Sequence, residues 1–570
     1  MHRVLLISEI LASVFASLAP DSNARNARVC SQWRDTALDA VWRAAHPGIF
    51  RSLVPTIIST ELDPYGAKAL AFVIEPTVQD WNRFLMNTQR VHRLLDSNRF
   101  YLTSEAILTI ALTRPEATIF PNVQRLAMRA QHLETFFMSP SLQSVDLFID
   151  SLEVLPLFSN IRDRMPNITS LGITFDQALT RSTHHAHIVD LVRSLVKLER
   201  LMLPATSFSA HIAQAIQHHP NLNGIILDRK ANIPINDTVQ LFSPEVALDH
   251  DAFPSLRTFS FSAPLLTDAA TILNPNAHWI HGLTYLWLHI EAPPERQEVT
   301  KFLDTLSRVS DSLYFLNLRL HKATYIAAEE EDFADADLTD AHLRLHDLLP
   351  ILQFKRLTDF SITCPYPLEM TNHEASELAR QWPHLRHLYL NPRPLLPYIT
   401  SLSLAAYRIF VDTCPKLTSI GLYVNATLPL PHFDFPPIWK TGTPIHFRTG
   451  HSPLPTDEAS ETTIYPVIAH YLSTFLSRAS RWQIASDFDP KVVGGGFEWL
   501  SEMADFPDII GYERGWRMIQ AMTNMILLER SITRERTWRP LAIKAHALQG
   551  ENKSLREKYD RLLESQKEGL

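Results

Sequence analysis

Residues 382–391, "WPHLRHLYLN", decide how this chain folds. Leu385, Leu388 and Leu390 stand in the order apolar-x-x-apolar-x-apolar, and Pro383 lies two residues ahead of the first of them. The alternation at the end puts Leu388 and Leu390 on one face of a strand and His387 and Tyr389 on the other. Proline ahead of the strand ends a preceding helix and pushes its own predecessor into extended geometry. One such strand cannot bury its leucines alone, so it needs neighbours of the same kind.

The chain supplies them. The same pattern begins at Val123, Leu142, Ile168, Leu198, Leu222, Leu256, Leu283, Leu313, Leu357, Leu385 and Leu417. The steps range from 19 residues, between Val123 and Leu142, to 44, between Leu313 and Leu357. Their mean, about 29, falls at the upper edge of the period expected of leucine-rich repeats. Pro121, Pro140, Pro166, Pro220, Pro254, Pro383 and Pro415 keep the same place two residues ahead. Between copies lie segments of helical period, such as Leu191, Val192 and Leu195, or Phe302, Leu306 and Val309, so each unit reads helix, turn, strand. This part of the chain resembles the leucine-rich repeats. The resemblance implies an α/β fold: a curved solenoid with parallel strands on its concave face and helices on its convex face.

Composition narrows the partners. The chain has 570 residues, 45% of them apolar, which argues against disorder. Its 53 basic and 61 acidic side chains leave a net charge of −8, so no overall field draws it to nucleic acid or to an anionic membrane. No apolar run reaches the roughly 18 residues a membrane span needs. Protein partners are expected, with no nucleic acid and no membrane. Cys30, Cys364 and Cys414 are an odd number set far apart, which describes neither a disulfide framework nor a zinc site. A reducing compartment, cytoplasm or nucleus, is the expected location.

At the amino terminus, in "HRVLLISEILASVFASL" (residues 2–18), Ile7, Ile10, Leu11, Val14, Phe15 and Leu18 recur at steps of three and four. They form the apolar stripe of a short helix, and Glu9 is out of place in a secretory signal. Pro20 ends this helix, Ser22 can cap a second, and Trp33, Ala37, Leu38, Val41 and Trp42 mark a third. Three short helices barely sustain their own core, so the module is expected to lean on a neighbour.

"LLISEILASVFASL" followed by "ARVCSQWRDTALDAVW" resembles the F-box. With the repeats that follow, nearly the whole chain is similar to F-box/leucine-rich-repeat proteins of the fungal type. That resemblance implies a substrate receptor of an SCF-type ubiquitin ligase, whose F-box binds a Skp-type adaptor, and through it a cullin, while the repeats capture a protein target. Carried over by position, the adaptor surface comprises Leu5, Leu6, Ile7, Glu9, Ile10, Leu11, Val14, Phe15, Cys30 and Trp33. The family usually has proline where Ser8 stands, so a preorganised first turn is missing. Read without the resemblance, the same residues would pack internally against the first repeats.

The strand rule also names a target surface. Positions between and just after the apolar ones face outward: Tyr285, Trp287, His289, Phe315, Arg319, His387, Tyr389, Asn391 and Tyr423. Aromatic and Arg side chains of this kind are enriched at interface hot spots; the other reading is that later segments pack over them.

These readings divide the chain into an F-box-like module at 1–50, a helical linker or amino-terminal cap at 51–118, and the solenoid at 119–425. A proline-rich excursion with a helical cap follows at 426–538, and a terminal helix at 539–570. In that helix Leu541, Ala545, Leu548, Asn552, Leu555, Tyr559 and Leu562 alternate steps of four and three. A short coiled coil making a homodimer, a fold-back on the protein and a free helix all fit this seam. The acidic run Glu329–Asp332 reads as a solvated loop.

No catalytic constellation stands out. His184–His187 and the pair His218–His219 lack metal-ligand spacing, and Gly494–Gly496 lacks the companions of a phosphate loop. No nucleophile elbow is present. The chain is expected to be a non-enzyme with no cofactor and no metal: a ligase receptor, or alternatively an interaction scaffold with no role in ubiquitin transfer.

Overall fold

The computed structural model describes residues 7–62, 68–95, 100–149, 157–175, 185–204, 208–228, 248–249, 251–273, 277–309, 312–320, 343–394, 400–428, 444–477, 480–484, 512 and 514–529. They fall into two compact units, the first made of 1–292 with 305–313, the second of 293–304 with 314–570. The acidic run, the triple glycine and the terminal heptad helix lie outside the described residues.

The first unit opens with α1 (Ser8–Ala16), α2 (Pro20–Asn26) and α3 (Ser31–Trp42). Its strands are β1 (Ala44–Ala45), β2 (Thr56–Leu62), β3 (Lys68–Phe72), β4 (Arg93–Leu95), β5 (Phe100–Leu102) and β6 (Arg125–Arg129). They continue with β7 (Ser144–Ile149), β8 (Ser170–Phe175), β9 (Arg200–Pro204), β10 (Gly224–Asp228), β11 (Thr258–Ala263) and β12 (Tyr285–Ile290). β1, β4 and β6 to β12 pair in that order, all parallel. The second unit holds β13 (Phe315–Leu320), β14 (Asp359–Thr363), β15 (His387–Leu390), β16 (Ser419–Leu422), β17 (His446–Gly450) and β18 (Arg481–Ile484), again parallel and in chain order.

One hydrogen-bond device sets the register. The carbonyl just ahead of a strand accepts two successive N–H groups from the next repeat: Gln143 O takes Thr169 and Ser170 at 2.8 and 2.9 Å, and Thr169 O takes Glu199 and Arg200 at 2.7 and 2.9 Å. In the second unit Tyr314 O takes Thr358 and Asp359, Thr358 O takes Arg386 and His387, and Arg386 O takes Thr418 and Ser419. Threonine hydroxyls add a rung at the same place: those of Thr169, Thr284, Thr358 and Thr418 donate to Gln143, Arg257, Tyr314 and Arg386. Each strand from β6 to β16 begins two residues after its first apolar position, and all eleven of those residues are no more than 2% exposed.

The ladder also extends past the pattern. Arg43 O accepts from His92 and Arg93, and His92 O from Gln124 and Arg125, so β1 and β4 obey the same rule. β17 and β18 carry it beyond residue 425. Two further readings need correction. Residues 51–118 do contain helices, at Val78–Thr88 and Ser104–Thr113, but also a second sheet in which β3 pairs antiparallel with β2 and parallel with β5; the β-branched run at Thr56, Ile57 and Ile58 favours strand. Nor does every unit contain an α-helix. The 19-residue step leaves too little chain for one, and two 3₁₀ turns, Ala130–His132 and Thr135–Phe137, replace it.

Asn391 is structural rather than exposed to a target. It is 0% exposed at the residue after β15, with a φ of 44°, a conformation asparagine tolerates better than most side chains. Its side chain accepts from the Cys364 N–H at 3.3 Å and donates to the Cys364 carbonyl at 3.0 Å and to that of Tyr366. Asn391→Ala should strand these buried groups and strain the backbone, lowering stability by about 3 kcal/mol. Urea unfolding followed by fluorescence checks this, and a midpoint unchanged from the parent would refute the role.

Candidate functional site

The apolar stripe of α1 is divided. Leu11 and Phe15, 1% and 2% exposed, form a core with Ala37, against which Ala27, Trp33 and Ala40 pack. Phe15 meets Trp33 edge to face with ring centroids 5.6 Å apart, and buried Asn23 donates to the Phe15 carbonyl at 2.8 Å. Leu11, Phe15 and Trp33 therefore hold the three helices together, which corrects their reading as a docking surface.

The other half of the stripe faces outward. Ile7, Ile10 and Val14 are 45%, 36% and 41% exposed, and their spacing places them side by side along the helix; Leu18, 40% exposed, lies just past its end. Glu9 is exposed beside them and accepts from the Ser8 hydroxyl at 3.1 Å. Cys30, half-buried, caps the start of α3 without a side-chain bond. Leu5 and Leu6 lie outside the described residues. Scattered exposed apolar residues need no explanation, but a contiguous row points to a covered surface.

Arg90 anchors this module to the repeats. It reaches Asp35 at 2.9 Å and Asp39 on α3, and donates to the Asp35 carbonyl at 3.1 Å. Burial alone would lower its pKa, yet the bonds to Asp39 and Asp35 prevail and raise it.

On the sheet face away from the ladder's leucines, β12 of the first unit presents Tyr285, Trp287 and His289. Their register partners are Thr258, Ser260 and Ser262, small hydroxyl residues beside which Trp287 remains 38% exposed.

The corresponding face of the second unit is a connected polar-aromatic surface. His387 Nδ1 meets the Asp359 carboxylate, and its Nε2 lies 3.2 Å from the Thr418 hydroxyl. The Tyr389 hydroxyl meets that of Ser419, and the Arg448 guanidinium lies 4.5 Å from the centre of the Tyr389 ring. Between them in register is Gly421, where a Cβ would fall 2.6 Å from Cδ1 of Tyr389. The missing side chain lets arginine and tyrosine meet across an intervening strand. Phe315 and Arg319 face outward on β13, and burial lowers the Arg319 pKa. Tyr423, 3% exposed, belongs to the interior, which corrects its reading as a target contact. Sequence reasoning missed Gly421 and Arg448; an isolated glycine inside the strand "SIGL" was the available signal.

Other clusters are less organised. His218 bonds Asp249 at 2.9 Å with Asp251 nearby, all exposed, while His219 is buried against the Val192 carbonyl. A groove of about 460 Å³ in the first unit is lined by His92, Gln124, Asn167 and Lys197 among others. There the Asn167 amide already donates to Pro140 and accepts from Lys197.

No protein-family profile matches the chain, and no curated protein matches it. Among solved structures, a chain of the crystal structure of a TLR13–ssRNA13 complex aligns with 66% of this chain and 70% of its own length, at 11% identity and a TM-score of 0.22. So weak a superposition carries no argument, and the fold rests on the strand pairing itself. No helix among the described residues is long and apolar enough to cross a membrane.

The cysteines give a direct check on burial. Burial pushes the Cys364 thiol up and that of Cys414 up to about 11, so neither offers a thiolate near neutrality. Iodoacetamide at about pH 8 should modify Cys30 in the folded chain and the other two only after unfolding. Mass spectrometry of the labelled peptides reads this, and Cys364 reacting as fast as Cys30 would contradict the packing.

Proposed function

We propose that the chain is a non-catalytic substrate receptor: its amino-terminal three-helix module docks on a Skp-type adaptor, and through it a cullin, while its repeats hold a protein target for ubiquitin transfer. No cofactor takes part, and the cytoplasm or nucleus is where it would act. The observation that carries the reading is the division of α1. A module that has already satisfied its own core with Leu11 and Phe15 still holds Ile7, Ile10 and Val14 in an outward row. Burying such side chains fully contributes about 1.5–3 kcal/mol each. A stable interface needs about 800 Å² from each partner, so Glu9, Leu18 and Cys30 would fall within it as well.

One feature of α1 favours the scaffold reading, in which the module only seals the repeats. The helix starts at Ser8 with Ile7 as its N-cap and no side-chain capping bond, so its first turn is weakly held.

Capture of purified Skp-type adaptor by the full chain separates the two. The receptor reading expects a complex with the parent, its loss in Ile10→Asp, and a melting temperature for that variant within about 1 °C of the parent, since the position is on the surface. The adaptor should also slow alkylation of Cys30. A folded parent that fails to retain the adaptor would establish the scaffold reading instead.

A further inference from the structure

The face of the second unit opposite the ladder's leucines has a charge balance unlike that of the whole chain. The sequence carries a net charge of −8, yet the outward positions of β13 to β18 include Arg319, Arg448 and Arg481 and one carboxylate, Asp359, which His387 already engages. Among the described residues no carboxylate pairs with any of the three arginines. Arg448 is also preset: its guanidinium lies over Tyr389, in space that Gly421 leaves open, and its Nε is buried with no hydrogen-bond partner. Thr363, in register with Arg319, likewise has a buried hydroxyl with no partner. A planar fork held in place on an aromatic ring loses little freedom when it takes a carboxylate.

We propose that this face binds an extended, carboxylate-rich segment of the target protein, with Arg448 on Tyr389 as the central fork and Arg319 and Arg481 as flanking contacts. The proposal rests on the receptor reading for the occupant's identity as a target, while the binding itself requires no adaptor. Six strands about 4.8 Å apart span roughly 24 Å, the length of about seven extended residues. Tyr389 supplies apolar area beside the fork, so binding depends on shape as well as charge.

The test uses the full chain and a fluorescein-labelled octaglutamate peptide, read by anisotropy. Octaglutamate should bind, octaglutamine should not, and raising salt to about 0.3 M should weaken the complex. Arg448→Gln should reduce affinity by about tenfold or more, and Arg200→Gln in the first unit should leave it unchanged. Arg481→Glu, at an exposed position, should reduce affinity comparably and serves as the decisive variant if Arg448→Gln fails to fold. Absence of octaglutamate binding, or equal binding to parent and Arg481→Glu, overturns the proposal. So does an oligothymidylate or a phosphoserine peptide that displaces octaglutamate at lower concentration, since that gives the face to phosphate. Adaptor capture is measured separately: lost octaglutamate binding with intact adaptor capture refutes this proposal alone, and the reverse refutes the receptor reading.

Discussion

The fold of both units depends on carbonyls just ahead of the ladder strands, from β1 to β11 in the first unit and from β13 to β15 in the second, each accepting two successive N–H groups from the next repeat. Where that bond pair forms, from Arg43 O to Arg257 O in the first unit and from Tyr314 O to Arg386 O in the second, each strand starts in the same register within its unit and its leucines fall on the same side. A slip of one residue would turn every leucine outward. The eleven buried first positions and the paired carbonyls enforce each other: the side chains choose the face, and the backbone bonds fix the start. Their repetition makes, in each unit, a parallel sheet with one face committed to the interior and one left for other uses.

Most of this was legible in the sequence because its signals coincide. At Pro383, Leu385 and Leu388, helix termination, the first buried leucine and strand alternation all agree, and β15 begins where they place it. The strands outside the repeated pattern carry shortened versions of it. Around β4 only Val91 and Leu94 are in place, with Asp96 where a third apolar residue would stand; β17 and β18 have histidine, arginine and glutamine among their apolar residues, and ahead of β17 Pro444 occupies the place of the first apolar residue. What recruits them is the neighbouring ladder, whose open carbonyls and amides a short segment can complete.

The site was half legible, for a physical reason in each case. Alternation predicts orientation only while the chain remains a strand. Asn391 and Tyr423 are each the first residue after one, β15 and β16, and the chain has already turned; both side chains go inward. Within strands the rule held, and His387, Tyr389, Phe315 and Arg319 lie on the outward side. Arg448 could not be paired with Tyr389 from the sequence, since 59 positions separate them and only the register through Gly421 brings them together. In α1, spacing alone gives a broad apolar stripe and cannot say how much of it α2 and α3 will cover.

Both candidate surfaces follow from what the core leaves over: an apolar row on α1 once Leu11 and Phe15 are spent, and an arginine-bearing sheet face once the leucines are turned in. Hydrogen–deuterium exchange of the full chain, alone and with the Skp-type adaptor, tests that division most directly. The account predicts strong protection at paired ladder amides such as Thr169 and Ser170 in both states, and at α1 a marked gain only when the adaptor is present. Fast exchange at the ladder amides, or an α1 equally protected with and without the adaptor, would contradict it.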